Sequence, residues 1–199
     1  MKRLEINSDQ NNFIGCWKSA NHKLFDNMVD FFEKNISLQK QGRVGGGINL
    51  DIKKTKDIAI DPINLLDNEF FIFDEYISEL FQCFQDYKKQ WPFLKKFKSV
   101  DIPTFNLQRY LPGDHFSTVH TERSSTQNMH RIFAWMTYLN NVEEDAYGCT
   151  HFSHYDLRIR PEKGKTLIWP AEWTHAHSGE MLKKDKKYII TGWICFAFD

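Results

Sequence analysis

The residues best placed to do chemistry are His120 and Glu122, separated by one threonine, and two later histidines, His175 and His177, in the segment WPAEWTHAHSGE. Side chains two apart on a β-strand leave the same face, so His120 and Glu122 can bind one ion together. A third ligand has to come from another strand, and either His175 or His177 can supply it. Two imidazoles and one carboxylate on one side of an ion leave the opposite positions open, which suits iron(II), oxygen and an organic co-substrate. The same donors also suit zinc, and an H-x-E taken alone is commonly just two polar residues at a strand end.

What separates the oxygen-chemistry reading from those alternatives follows the last histidine. Lys187 opens the apolar run KYIITGWICF. On a regular strand Lys187, Ile189, Thr191, Trp193 and Cys195 share a face, so the ammonium and the indole can look inward together. A lysine facing a protein interior is costly unless it meets an anion. The distal carboxylate of 2-oxoglutarate, whose keto-acid end chelates iron, is the natural one. Among the surface cations of KKDKK, Lys187 alone would pass for another; beside two histidines and a glutamate it becomes an anchor.

These residues need a scaffold. From residue 101 the chain breaks into short apolar or alternating runs, TFNLQRYL, HFSTVHTE, RIFAWMTYL, THFSHYDLRIR, KTLIWP and KKYIITGWICFAF, punctuated by Pro112-Gly113, Asn140-Asn141 and Pro161-Glu162-Lys163-Gly164. That texture predicts an antiparallel jelly roll. Residues 1–100 read as a helical support. Leu24, Met28, Phe31 and Phe32 form one apolar stripe, and Phe73, Ile77, Leu80, Phe81 and Phe84 form a second, in a helix that follows Pro62 and closes at Trp91-Pro92. Gly45-Gly46-Gly47 has no G-K-[ST] ending and no apolar strand before it, so it reads as a flexible turn rather than a phosphate loop. The fold class expected is α+β: a single 1–199 domain with a double-stranded β-helix core and N-terminal supporting helices.

Composition narrows the partners. Twenty-six basic and 26 acidic side chains give a formal net charge of zero, so no global field draws the protein to nucleic acid or to a membrane surface. No run is long and apolar enough to span a bilayer, and no signal-peptide core follows the N-terminus. A soluble, cytoplasmic protein is expected. Cys16, Cys83, Cys149 and Cys195 are scattered without a C-x-x-C pair, as free packing thiols would be.

Residues 106–197 resemble the catalytic core of the prolyl 4-hydroxylase branch of the 2-oxoglutarate/Fe(II) dioxygenases. The resemblance is carried by Tyr110-Leu-Pro-Gly-Asp-His-Phe-Ser-Thr-Val-His120-Thr-Glu122, then Tyr138-Leu139-Asn140, Gly148-Cys-Thr150, Pro161-Glu-Lys-Gly164, Trp169-Pro170, His175, and Lys187-Tyr188 through Trp193. It implies that His120, Glu122 and His175 hold the metal, His175 being chosen because it follows Pro170 at the family's interval. It implies that Tyr110 borders the 2-oxoglutarate pocket, that Tyr138 hydrogen-bonds the co-substrate carboxylate, and that Lys187 is the basic anchor. Thr150 and His177 would also flank the co-substrate, and Trp193 and Arg131 would line the substrate side. Arg131 and Tyr138 are seven apart, so both can face the site only across a bulge. Glu122 stands where the family usually has aspartate, one methylene shorter.

The reaction implied is hydroxylation of an unactivated C–H bond, with a prolyl residue of a peptide or protein as the favoured substrate. It would use Fe(II), 2-oxoglutarate and O2, release succinate and CO2, and have ascorbate as reductant. A hydroxylase of a small metabolite or free amino acid, a non-catalytic metal-binding jelly roll and a zinc hydrolase are the competing readings. A halogenase is disfavoured, because it needs the carboxylate position vacant for halide.

Overall fold

The computed structural model describes residues 1–6, 12–97 and 99–197. Fifteen main elements follow in order: β1 (Lys2–Leu4), β2 (Gly15–Lys18), α1 (His22–Lys34), β3 (Lys40–Gln41), β4 (Lys56–Ile60), α2 (Phe71–Gln90), β5 (Val100–Asp101), β6 (Phe105–Tyr110), β7 (Phe116–His120), β8 (Arg131–Tyr138), β9 (Thr150–Phe152), β10 (Leu157–Ile159), β11 (Lys165–Pro170), β12 (His177–Gly179) and β13 (Lys187–Phe196). The last residue of the final apolar run, Phe198, lies outside the described residues.

Helix α1 forms as its spacing requires, with Leu24, Phe25, Met28, Phe31 and Phe32 all buried and each worth roughly 1.5–3 kcal/mol on removal from water. Helix α2 differs in detail. Short 3-10 turns at Pro62–Leu66 and Asn68–Phe70 delay its start to Phe71. Its buried stripe is Phe73, Tyr76, Leu80, Cys83, Phe84 and Tyr87, so the expected Phe81 is displaced from it and stands 56% exposed. One residue is about 100° of helical rotation, enough to turn Phe81 away once Leu80 and Phe84 set the inward face.

Two antiparallel sheets make the jelly roll. The larger has nine strands, in the order β1-β2-β11-β8-β13-β6-β4-β3, with β5 paired to the end of β13; the smaller runs β10-β9-β12-β7. Four of the nine strands come from the first hundred residues, which are therefore more than a helical layer. Strands this short carry too little alternation to be read from sequence. The glycine triplet caps a tight reversal in which Val44 and Gly47 exchange backbone hydrogen bonds of 2.9 and 2.8 Å; Gly47, at φ +113°, adopts a conformation that needs glycine.

Strand alternation on the large sheet separates two cores. From β8, Phe133 and Trp135 pack with both helices, while Ala134, Met136 and Tyr138 face the space between the sheets. The pairing of β8 with β13 slips between Ile194 and Cys195, so that Phe133 faces Ile194 but Arg131 faces Cys195. Ile132 is the extra residue, and it joins Phe133 on the helix side. This bulge turns Arg131 onto the inner face.

Candidate metal centre

Between the sheets lies a cavity of about 810 Å³ that contains most of the expected site. At one end His120, the last residue of β7, pairs across the small sheet with His177, the first of β12. Glu122 follows two residues on. Ligand atoms of these three side chains all lie within 4.8 Å of one another. Glu122 Oε1 is 3.4 Å from His177 Nε2 and 3.8 Å from His120 Nε2, close enough for one ion to sit among the three.

Each ligand is oriented by a second group. Backbone carbonyls can only accept, so His120 Nδ1–H donates to Thr118 O and His177 Nδ1–H to His175 O, both at 2.9 Å. Each Nε2 lone pair is thereby left facing Glu122. Trp193 Nε1–H donates to Glu122 Oε2 at 2.7 Å, and Arg131, stacked 3.6 Å over the Trp193 ring, donates to the Glu122 carbonyl at 3.0 Å. With Oε2 held, Oε1 is the oxygen presented to the histidines. The additional methylene of glutamate is thus fixed by a neighbouring tryptophan. Burial would raise the Glu122 carboxyl, but a hydrogen bond from His177 when Nε2 also carries a proton, the charge of the two imidazoles in that state and the Trp193 N–H hold it down at about 2. Burial, helped by His177, pushes His120 down to about 4. A carboxylate beside a neutral imidazole is the protonation state that binds a metal at neutral pH.

His175 is not in this cluster, and the assignment of His175 as third ligand is corrected by the geometry. Its Nε2–H donates to Asn12 O at 2.7 Å and its Nδ1 accepts from Thr174 Oγ1 at 2.9 Å, which leaves no lone pair for an ion. The expectation that residues 175 and 177 share a strand face fails because His175 ends a 3-10 turn, Trp173–His175, and the strand begins only at His177. His177, expected beside the co-substrate, stands instead with the metal-ligand cluster.

Lys187 lies deeper in the cavity and is 3% exposed. Its ammonium sits 4.2 Å from the Tyr110 ring centroid and donates to Gly148 O at 2.9 Å. Among the described residues no carboxylate lies within ion-pair distance of it. Burial lowers its pKa to about 8, the signature of a cation without an anion. Thr150, Tyr110, Trp193 and Arg131 line the same cavity. Tyr138 does not: its hydroxyl donates to Thr150 Oγ1 at 2.7 Å, so it stands behind Thr150, and its expected direct contact with the co-substrate is corrected to support of a residue that can make one.

The sequence reading missed the wall contributed by residues 40–57. Lys53, 5% exposed, pairs with Asp57 at 2.7 Å, and Gln108 links Asp57 at 3.2 Å to the Tyr110 hydroxyl at 3.0 Å. Phe116 stacks on His120 at 3.8 Å. The four-residue spacing of Lys53 and Asp57 was the only signal, and it is indistinguishable from a solvated charge pair.

Residues 105–195 match the family model described as the 2OG-Fe(II) oxygenase superfamily. No curated protein matches the sequence. Solved structures similar in fold include a viral collagen prolyl hydroxylase from Paramecium bursaria Chlorella virus-1 in its 2OG complex (15% identity, TM-score 0.69, covering 94% of this chain and 98% of that one). A prolyl-4-hydroxylase from Pseudomonas putida aligns with 15% identity, TM-score 0.73, and 93% and 94% coverage. A prolyl hydroxylase from Trichoplax adhaerens, in complex with a hypoxia inducible factor oxygen degradation domain peptide fragment, aligns with 14% identity, TM-score 0.74, and 94% and 84% coverage. At these identities the likeness is one of fold. No helix among the described residues is long and apolar enough to cross a membrane.

Proposed function

We propose that the protein is a 2-oxoglutarate- and Fe(II)-dependent hydroxylase acting on a prolyl residue of a peptide or protein. The observation that carries the reading is Lys187: a buried ammonium with no ion-paired carboxylate among the described residues, in the same cavity as His120, Glu122 and His177. A dicarboxylic acid that chelates an ion at one end and meets a lysine at the other accounts for both. Iron(II) held by the two Nε2 atoms and Glu122 Oε1 would supply the oxygen chemistry that converts 2-oxoglutarate to succinate and CO2 and hydroxylates the substrate.

The chain's own residues do the positioning. Lys187 gives the distal carboxylate a charge-assisted hydrogen bond, and Thr150, backed by Tyr138, offers a hydroxyl beside it. Tyr110 walls the pocket beneath the ammonium. Trp193 fixes the ligand carboxylate with its indole N–H while Arg131 covers its ring, so these two join the metal site to the substrate side. The cavity is larger than 2-oxoglutarate needs and reaches past Arg131 to Ser124 and Gln127, leaving room for a substrate segment. The peptide held by the Trichoplax adhaerens neighbour supports the same substrate class.

Succinate release measured with Fe(II), 2-oxoglutarate and ascorbate as reductant, across a panel of proline-containing peptides, tests the reading. Peptide-stimulated succinate with a hydroxyproline product is the expected result. No succinate under any condition would sink it.

A further inference from the structure

The cavity's charge is one-sided in a way the proposed chemistry does not use. Five cationic side chains line it, Lys40, Arg43, Lys53, Arg131 and Lys187, against two carboxylates, Asp57 and Glu122. Both carboxylates are committed: Asp57 to Lys53 at 2.7 Å, and Glu122 to Trp193 and the histidines. Iron(II) would add two positive charges and 2-oxoglutarate would remove two, so the excess persists in the loaded site. Lys187 is spent on the co-substrate and Arg131 is shared with Glu122, which leaves Lys40 and Arg43 unanswered among the described residues.

Those cations are placed to receive something from solvent. Lys40 and Arg43 are exposed, on strand β3 and in the turn after it. The Lys40 ammonium reaches only the Ser37 carbonyl, at 3.3 Å, and neither residue has a carboxylate partner among the described residues. Arg131, a quarter exposed, is tied through Nη1 to Glu122, donating to its carbonyl at 3.0 Å and lying 3.8 Å from its Oε2, and it keeps its remaining guanidinium N–H groups as donors. The remaining outer lining, Ser124, Ser125, Gln127 and Asn128, is neutral and polar. Since the whole chain has a formal net charge of zero, the excess belongs to the cavity and not to the protein at large.

We propose that the substrate is anionic beside its reacting residue: a carboxylate-rich stretch of peptide that seats against Lys40, Arg43 and Arg131. This rests on the hydroxylase reading above. A nucleic acid would meet the same charge, but its bases need open aromatic faces, and the cavity's rings are occupied. Tyr110 lies under Lys187, Phe116 on His120, Trp169 edge-on to His177, and Trp193 under Arg131. Peptide carboxylates ask only for the guanidinium and ammonium donors that are present.

The test uses the full chain loaded with Mn(II) and 2-oxoglutarate in the absence of oxygen. Its probes are fluorescein-labelled proline peptides of equal length bearing several glutamates, none, or several lysines, read by anisotropy. The glutamate peptide should bind on the order of tenfold tighter than the neutral one at low salt, the gap closing as sodium chloride is raised. Arg43→Glu combined with Lys40→Glu should reverse the ranking, and Arg43→Gln should narrow it. Equal binding of the three peptides, a ranking that survives the charge reversal, or an oligothymidylate of matched charge binding tighter than the glutamate peptide would overturn the proposal. Formation of the Mn(II)–2-oxoglutarate complex is measured first in each sample. If it does not form in the wild type, the hydroxylase reading fails and takes this inference with it; if it forms without a charge preference, this inference alone falls.

Discussion

The two faces of strands β8 and β13 are built from adjacent residues and have opposite characters. Toward the helices, Phe133, Trp135, Ile190 and Ile194 meet Tyr76, Phe84 and Tyr87 in a dry aromatic core. Toward the small sheet, Arg131, Lys187, Thr191 and Trp193 line the cavity. Each strand therefore holds the fold together with one set of side chains and shapes the site with the other. The fit on the helix side is tight enough to need Gly192: a Cβ there would lie 2.7 Å from the Trp135 ring and 2.8 Å from Phe105 Cβ. Substitutions on the two faces should accordingly separate stability from ligand binding.

The largest effect is expected on the dry face. Trp135 is fully buried, and Trp135→Ala should cost about 3–5 kcal/mol of unfolding free energy, a large part of what a domain this size has to spare. Chemical denaturation measures it. A loss below about 1 kcal/mol would mean that this layer is not what holds the sheet.

On the wet face the sign should reverse. Lys187→Met removes a buried cation that has no carboxylate partner among the described residues and should stabilise the ligand-free protein at pH 7 by about 1–3 kcal/mol. It should also weaken 2-oxoglutarate binding by roughly tenfold to a hundredfold through loss of a charge-assisted contact, with metal affinity kept. His120→Ala should lose the metal as well, so equal metal affinities in the two variants would contradict the division of roles. The pH dependence follows from the same residue. The Lys187 pKa is lowered from 10.5 to about 8 in the folded chain, so between those values the unfolded chain carries more protons and stability rises with pH. In that window 2-oxoglutarate affinity should fall, by up to tenfold per pH unit above about 8, because the anchoring form is the protonated one. Isothermal titration across pH 7 to 10 distinguishes this from a flat profile, which would remove Lys187 from the binding site.

The difference between the faces also explains what could be read from sequence. A strand's parity was legible: Lys187, Ile189, Thr191 and Trp193 do line one cavity, and Arg131 joins them by the bulge that its odd spacing demanded. Helix α1 and the long strands carried enough periodicity to be placed. What failed depended on where regular structure stops. His175 and His177 are two apart, but the chain between them is turning, so parity did not apply. Tyr138 has the right parity, yet Thr150 stands in front of it, and depth within a cavity leaves no periodic trace. The wall at residues 40–57 was invisible for a third reason: Lys53 and Asp57 are charged residues that are buried as a pair, with Thr55 and Gln108 completing the hydrogen bonds of Asp57.

The smallest expected effect is the sharpest for the metal site itself. His175→Ala removes the imidazole that holds the Asn12 carbonyl but keeps the backbone carbonyl that accepts from His177. It should therefore cost about 1–3 kcal/mol of stability, the penalty for stranding a buried polar group, while metal affinity changes by less than about tenfold, the lower end of what loss of an orienting group produces. His177→Ala should do the opposite and abolish metal binding while the fold persists, since its contacts are the ones the ion would use. Equilibrium dialysis with Mn(II) or Zn(II) beside thermal melting reads both quantities on each variant. If His175→Ala were the one to lose the ion, the cluster of His120, Glu122 and His177 would not be the metal centre, and the dependence of Lys187 on a co-substrate chelated there would have to be abandoned with it.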